Sequence, residues 1–275
     1  MKISMSSFVF CHYPLKEAIR RIASAGFEGV DIWGGRPHAY RRDLDQAECG
    51  STVRLLNDLS LATPSFIPAQ FRYPTCLCSP DETIWRDSGN YIRDSITTAS
   101  WLGARVVSLC PGHSLFGQRR EDAWQRLCAN LLDLCDFAAS LGVKLAIEPA
   151  DRYETDLVQT TAQALQLLDD VKRGNLGVVL DVGHCQLVGE SPADAIRRLG
   201  DTLLYVHVND NLGQRDQHLV PGQGVLDFPA ILAALREVGY EGFLSTELGW
   251  DYTIDPEPAT RRSADFLRAL LASQP

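Results

Sequence analysis

Two hydrophobic periods take turns along this chain from one end to the other. Short apolar, β-branched runs without polar alternation read as strands buried on both faces, as in a parallel sheet wrapped by helices. Between them, apolar residues recur every three or four positions, the signature of amphipathic helices. The predicted strands are Lys2–Ser6, Gly29–Trp33, Leu61–Ile67, Arg105–Cys110, Val143–Glu148, Leu176–Asp181, Leu203–Asn209 and Gly242–Glu247. The predicted helices are Pro14–Ala25, Asp45–Asp58, the segment after Pro80 as far as Leu102, Glu121–Leu141, Thr161–Val171, Pro192–Leu199, Phe228–Val238 and Pro258–Leu271. Eight β-then-α units with no linker between them predict an α/β fold, a closed (β/α)8 TIM barrel forming a single domain over residues 1–275. Gly26, Gly142, Gly174 and Gly239 fall where helices should stop, and Pro64 weakens the third strand. The longest irregular stretches, Ile67–Asp81 and Asn211–Gly224, follow strands three and seven. In a barrel that places them at the catalytic mouth.

Composition narrows the picture. A chain of 275 residues, 45% hydrophobic, suits one such barrel with a substantial core and excludes disorder. The net charge of −9 argues against nucleic acid as a partner, because affinity for a polyanion comes from basic surface. No window is apolar for long enough to cross a bilayer, and MKISMSSFVF reads as a strand rather than a leader. Eight cysteines are scattered, with no C-x-x-C among them. Cys76 and Cys78, one residue apart, suit neither a zinc knuckle nor a simple disulfide. Reduced, mostly buried thiols in a cytoplasmic protein are the expectation.

The chemistry gathers where the strands end. The run Gly177–Leu180 closes on Asp181, with His184 three residues on. A charge at the end of a wholly buried strand is costly unless paired or metal-bound, although Asp181 could also cap the following helix. The last residues of strands five to eight are Glu148, Asp181, His207 and Glu247. In this fold four such side chains converge above the barrel, and three carboxylates in one volume repel each other unless a divalent cation joins them. Three oxygen ligands and one imidazole admit Mn²⁺, Mg²⁺, Co²⁺ or Zn²⁺ and exclude a Cys-rich structural zinc site. His113, after strand four, either lines the pocket or sits in a loop. Trp33 and Phe66, ending strands two and three, either form an apolar wall of the mouth or belong to the core. Trp250 and Tyr252 follow strand eight and could cover the site, while His12 and His38 carry little signal. Gly34–Gly35 and Gly222–Gly224 follow no phosphate-loop pattern.

The segments AIEP (Ala146–Pro149), DVGH (Asp181–His184), VHVND (Val206–Asp210) and TEL (Thr246–Leu248), in this order, resemble the sugar isomerase/epimerase family built on the xylose-isomerase-like barrel. IWGGRPHA at Ile32–Ala39, EPxxxYE at Glu148–Glu154 and DxH-xx-PGxG at Asp216–Gly224 are most similar to the fructoselysine 3-epimerase branch. The D-tagatose and D-psicose 3-epimerases stand further off. The resemblance implies a metal-dependent epimerase that interconverts C3 epimers of a ketose or N-substituted ketosamine through an enediolate. It makes Glu148, Asp181, His207 and Glu247 the ligands of one divalent ion, with Mn²⁺ the first expectation. Glu148 and Glu247 double as the acid/base pair, His184 holds the substrate at O2, and Glu154 either orients Glu148 or contacts the O1 end, unless it is a solvated loop charge. The same architecture also hosts aldose–ketose isomerases and inosose or dehydroshikimate dehydratases. The relatives imply a small-molecule sugar substrate and a homodimer or homotetramer.

Two features depart from that pattern. The arginine that follows the strand-seven histidine in tagatose and psicose epimerases has only Arg215 as a counterpart, in a longer loop, whereas His184 has no counterpart in fructoselysine 3-epimerase. Asp216 and His218 match a D-x-H that, with a histidine like His184, binds an additional zinc in the apurinic-site endonuclease branch. Here they could bind a second metal or clasp the loop. Against a nuclease, strand three offers Pro64–Ser65 and strand four Cys110-Pro111-Gly112 where that branch has histidines.

Overall fold

The computed structural model describes residues 1–70 and 75–273. Its eight strands are β1 (Lys2–Ser6), β2 (Gly29–Gly34), β3 (Ser65–Pro68), β4 (Val106–Leu109), β5 (Lys144–Ile147), β6 (Leu176–Asp181), β7 (Leu203–Val208) and β8 (Phe243–Thr246). They close into a parallel barrel in chain order, with Lys2–Met5 of β1 in register against Phe243–Thr246 of β8. The surrounding helices are α1 (Leu15–Ser24), α2 (Gln46–Asp58), α3 (Glu82–Trp101), α4 (Arg120–Ser140), α5 (Thr161–Val171), α6 (Val182–Leu187), α7 (Pro192–Leu199), α8 (Phe228–Glu237) and α9 (Pro256–Ala272). Helix starts follow local chemistry. Asp45 with Glu48 and Thr160 with Gln163 form reciprocal capping boxes for α2 and α5, and Ser191 followed by Pro192 opens α7.

Pleat parity separates two cores. Ile32, Phe66, Val107, Leu145, Val178 and Val206 face outward and pack with helix residues such as Ile19, Ile92, Leu127 and Leu167. The intervening residues Val106, Ala146, Val179 and Tyr205 fill the barrel. Beside them lies a polar knot around Asp31 of β2, which is wholly buried. Its Oδ1 accepts from Ser65 Oγ (2.8 Å) and Tyr205 OH (2.5 Å), and its Oδ2 accepts from Ser4 Oγ (3.1 Å) and Ser245 Oγ. Four hydroxyl donors from four other strands satisfy a carboxylate that would otherwise be costly to bury. Two residues further along their strands stand Glu148, Asp181, His207 and Glu247, one layer nearer the mouth.

Some boundaries differ from the sequence reading. Regular β3 pairing starts only at Ser65, since Pro64 offers no N–H, although Ala62 makes an isolated bridge to Gly29. Val171 ends α5 because Lys172, not Gly174, adopts the left-handed conformation (φ 52°). A short helix not predicted, α6, follows β6. The irregular stretch read as Ile67–Asp81 includes residues 71–74, which lie outside the described residues.

Candidate active site

Two of the four ligand candidates stand one residue past their strands, where the backbone continues the ladder while the side chain turns into the mouth, whereas Asp181 and His207 lie within β6 and β7. The Glu148 amide donates to Leu109 O (2.9 Å) and the Glu247 amide to Val208 O (3.2 Å), although both residues stand just beyond β5 and β8. Asp181 combines the two readings open to it. Its Oδ1 accepts from the His184 amide (2.8 Å), capping α6, while the carboxylate faces the barrel mouth. Ligand atoms of Glu148, Asp181, His207 and Glu247 all lie within 4.8 Å of one another.

His207 is the hub. Its Nδ1 stands 2.7 Å from Glu148 Oε1 and 3.3 Å from Glu247 Oε2, and the whole residue is buried. Burial alone would favour the neutral ring, but Glu148 and Glu247 outweigh it and hold its pKa up at about 10. Burial pushes Glu148 and Glu247 up. The imidazolium of His207 leaves Glu148 below the usual carboxylate range, whereas Glu247 stays above it with the charge of Glu148 adding to the effect. Three acids and an imidazole nitrogen, converging in a buried volume, fit a divalent cation.

The surrounding shell explains how these groups are held. Asn209, wholly buried one pleat above His207, donates from Nδ2 to Asp181 Oδ2 (2.5 Å) and also lies 3.2 Å from His218 Nδ1. His218 Nε2 is 3.0 Å from Asp216 Oδ1, and its Nδ1 is 3.1 Å from the Glu247 carbonyl oxygen. Both ring nitrogens are therefore engaged, as a loop clasp requires. Asp181, His184 and His218 nevertheless also form a metal-capable group, as do Asp151, His184 and Asp216. The loop itself hangs on Asp210. Its Oδ1 accepts from the amides of Asn211 (2.9 Å) and Leu226 (3.2 Å), and its Oδ2 from those of Gly222 (3.0 Å) and Gly224 (2.8 Å). A Cβ on Gly224 would come within 2.2 Å of both Asn211 O and Asp210 Oδ1, so this approach requires glycine.

His184 is 4% exposed, accepts a long hydrogen bond from the Asp151 amide (3.4 Å) and stands 4.0 Å from Asp216. Burial works against its charge, but the carboxylates of Asp181, Asp216 and Glu154 raise it to about 9. Glu154 faces this same group: burial raises its carboxyl to about 7, with Glu148 and Asp216 adding to the effect. Glu154 itself is half-buried in the loop after β5. Trp33 is 8% exposed on the inner face and meets Phe8 edge-on at 5.2 Å, and Phe8 meets the exposed Trp250 at 4.6 Å. These three rings wall one side of the mouth.

Elsewhere the structure selects between readings that the sequence left open. Phe66 is core, not wall: it is wholly buried in the outer cluster, because Ser65 takes the inward position on β3 to reach Asp31. The inward residue beside Trp33 is Ile67. His113 keeps to its loop, with Nδ1 2.7 Å from Ser114 O and the ring edge-on to the exposed Phe116. Arg215 is exposed on the loop after β7, and His12 is exposed near the end of β1. His38 is 2% exposed and satisfied, its Nε2 facing the carbonyls of Phe10 (3.2 Å) and Tyr13 (3.1 Å) and its Nδ1 facing Ser7 Oγ (3.0 Å).

Residues 19–270 match the model of the xylose isomerase-like TIM barrel family. The chain belongs to that family. Fructoselysine 3-epimerase of Shigella flexneri is 28% identical over 271 residues, covering 98% of each chain. L-ribulose 3-epimerase of Methylomonas sp. strain DH-1 is 32% identical over 245 residues, 88% of this chain and 81% of that one. A solved L-ribulose 3-epimerase superposes with a TM-score of 0.85 at 23% identity, over 99% of this chain and 95% of that one. These relatives are epimerases by name, epimerases are isomerases, and the family is enzymatic. Among the described residues no helix is long and apolar enough to cross a membrane.

Proposed function

We propose that the protein is a divalent-metal-dependent epimerase that inverts C3 of a ketose or an N-substituted ketosamine. The observation that carries this reading is the pair of carboxylates, Glu148 and Glu247, which arrive from strands three places apart in the ring and meet at His207 Nδ1. Inverting a carbon beside a keto group needs a proton taken from one face and another delivered to the opposite face, so two opposed carboxyl groups are the minimum equipment. Glu148, Asp181, His207 and Glu247 would hold the ion, which supplies Lewis-acid stabilisation of the negative charge on the keto oxygen and its neighbour. In this reading one of Glu148 and Glu247 takes the C3 proton, and the other returns a proton across the plane of the resulting enediolate. His184 donates to the substrate at O2, Asp216 and His218 clasp the loop over it, and Glu154 meets the O1 end. Trp33, Phe8 and Trp250 cover an apolar sugar face and exclude water. The fructoselysine 3-epimerase among the relatives supports a ketosamine substrate. The expected setting is a reducing cytoplasm, with Mn²⁺ as the ion and a homo-oligomeric assembly.

The test is incubation with Mn²⁺ and candidate ketoses or fructosamines in deuterated water. Deuterium at C3 of an accumulating epimer is the expected result. Label at C1 with an aldose product would move the assignment to an aldose–ketose isomerase, and absence of any exchange would refute enediolate chemistry.

A further inference from the structure

The loop after β3 brings together two thiols that the chemistry above does not use. Cys76 and Cys78 occupy a turn closed by the Ser79 amide donating to Cys76 O (3.2 Å), and their sulfurs stand 3.4 Å apart. A C-x-C spacing in an extended chain would point the two side chains the same way at separate heights, but the turn folds them onto each other. The backbone holding them is pinned at every residue. The Cys76 amide donates to Ser88 Oγ (2.7 Å), Leu77 O accepts from Asn130 Nδ2 (2.8 Å), and Cys78 O accepts from Arg126 Nε (2.9 Å). Both sulfurs lie against the His113 carbonyl, at 3.7 and 3.4 Å. Gly112 makes room for them, since a Cβ there would lie 3.3 Å from Cys78 Sγ and 3.6 Å from Cys76 Sγ.

We propose that Cys76 and Cys78 are a reversible dithiol/disulfide couple at the rim of the catalytic mouth, oxidised by low-molecular-weight disulfides. Cys78 is buried and Cys76 half-buried, so Cys76 is the attacking sulfur and Cys78 the resolving one. The hydrogen bond from Cys78, with the Arg126 guanidinium nearby, favours the thiolate of Cys76, whereas that same bond and burial hold Cys78 protonated. The Cys76 thiolate attacks one sulfur of an external disulfide RSSR, forming Cys76–S–S–R and releasing RS⁻. Cys78 gives up its proton to that RS⁻ and attacks Cys76 Sγ, expelling the second RS⁻, which takes a proton from water. Two thiols become one disulfide while RSSR becomes two RSH. The remaining six cysteines lack this arrangement. None of them has another sulfur as a recorded hydrogen-bond partner among the described residues.

The experiment treats the full-length, metal-loaded protein with glutathione disulfide and counts thiols before and after dithiothreitol. The count is expected to fall from eight to six and to return to eight, with no glutathione retained and the new bond mapped to Cys76–Cys78. In Cys78→Ser, a glutathione adduct should persist on Cys76. An unchanged count, glutathione retained by the wild-type chain, or a bond joining Cys76 to Cys110 would overturn the proposal. Should the serine variant not fold, the wild-type chain alone suffices: phenylarsine oxide, which needs two adjacent thiols, should bind at one equivalent and block the oxidation. A chain that binds no arsenical overturns it equally.

Discussion

Replacing Asp210 by alanine tests whether the loop over the mouth is held from a single carboxylate. The substitution removes four hydrogen bonds to a buried acid, from Asn211, Gly222, Gly224 and Leu226. At about 1.5–3 kcal/mol for each bond to a charged group, the gross loss is roughly 6–12 kcal/mol. Relaxation returns part of it. Gly222 is exposed, and Gly224 and Leu226 are half-buried, so their amides can turn to water, whereas Asn211 is wholly buried. The surviving cost is about 3–5 kcal/mol, the range for stranding one or two buried donors. For a domain of this size that lowers the melting temperature by roughly 10 °C. Asp210→Asn keeps one acceptor but turns an NH₂ toward amide donors, so it should fall between alanine and the wild type. The assay is thermal and urea unfolding followed by circular dichroism, together with kcat/KM on any turned-over ketose. Activity should fall with stability, because the loop carries Asp216 and His218. An Asp210→Ala protein within about 0.5 kcal/mol of wild type would show that the loop is held by other means.

Glu247→Gln, measured beside wild type for turnover and for deuterium exchange at C3, should lose activity by on the order of 10³-fold while melting normally. Wild-type rates would remove Glu247 from the proton transfer. Asn209→Leu keeps every ion ligand but deprives Asp181 Oδ2 of its side-chain donor, so affinity for Mn²⁺ should weaken by about 10–100-fold in a competition titration. An unchanged affinity would leave Asn209 a packing residue. Burial, outweighing its carbonyl partners, lowers His38 from 6.5 to about 4, so the folded state binds fewer protons than the unfolded chain between those values. Its contribution is fully present above about pH 6.5 and is lost as pH falls towards 4, up to roughly 3 kcal/mol. Over that window wild-type stability should therefore drop more steeply than that of His38→Gln. Parallel curves would contradict the assignment.

The strands were legible where hydrophobicity and parity agree. β6 reads directly from LGVVLD, because its apolar run without alternation is short, β-branched and flanked by glycine, which favours a strand covered on both faces over a helix, and Asp181 marks where it leaves the barrel. Strand ends then place Glu148, His207 and Glu247, since any barrel of this kind aims those positions at one mouth. Phe66 stayed undecided between wall and core because a period of two, read in a four-residue strand preceded by proline, leaves the inward face ambiguous by one residue. Asn209 and Asp31 carried a signal that went unused. Asn209 shares the parity of His207, and Asp31 is a charge inside the buried run GVDIW, which demands partners. Asp210, Phe8 and the Cys76–Cys78 turn were less readable. Their partners come from loops whose course depends on tertiary contacts rather than on periodicity.

The claim on which the chemistry rests is that three acids and one imidazole form a divalent-ion site. Its most direct measurement is a thermal melt of chelator-stripped protein titrated with Mn²⁺, paired with elemental analysis of the protein as purified. The account predicts one ion per chain and a melting temperature that climbs with free Mn²⁺, by about 2.7 kcal/mol of stability at a hundred times the dissociation constant. Asp181→Asn and His207→Gln should flatten that rise. A stripped protein whose melting temperature does not respond to Mn²⁺, Mg²⁺, Co²⁺ or Zn²⁺, and which carries no ion when purified, would contradict it.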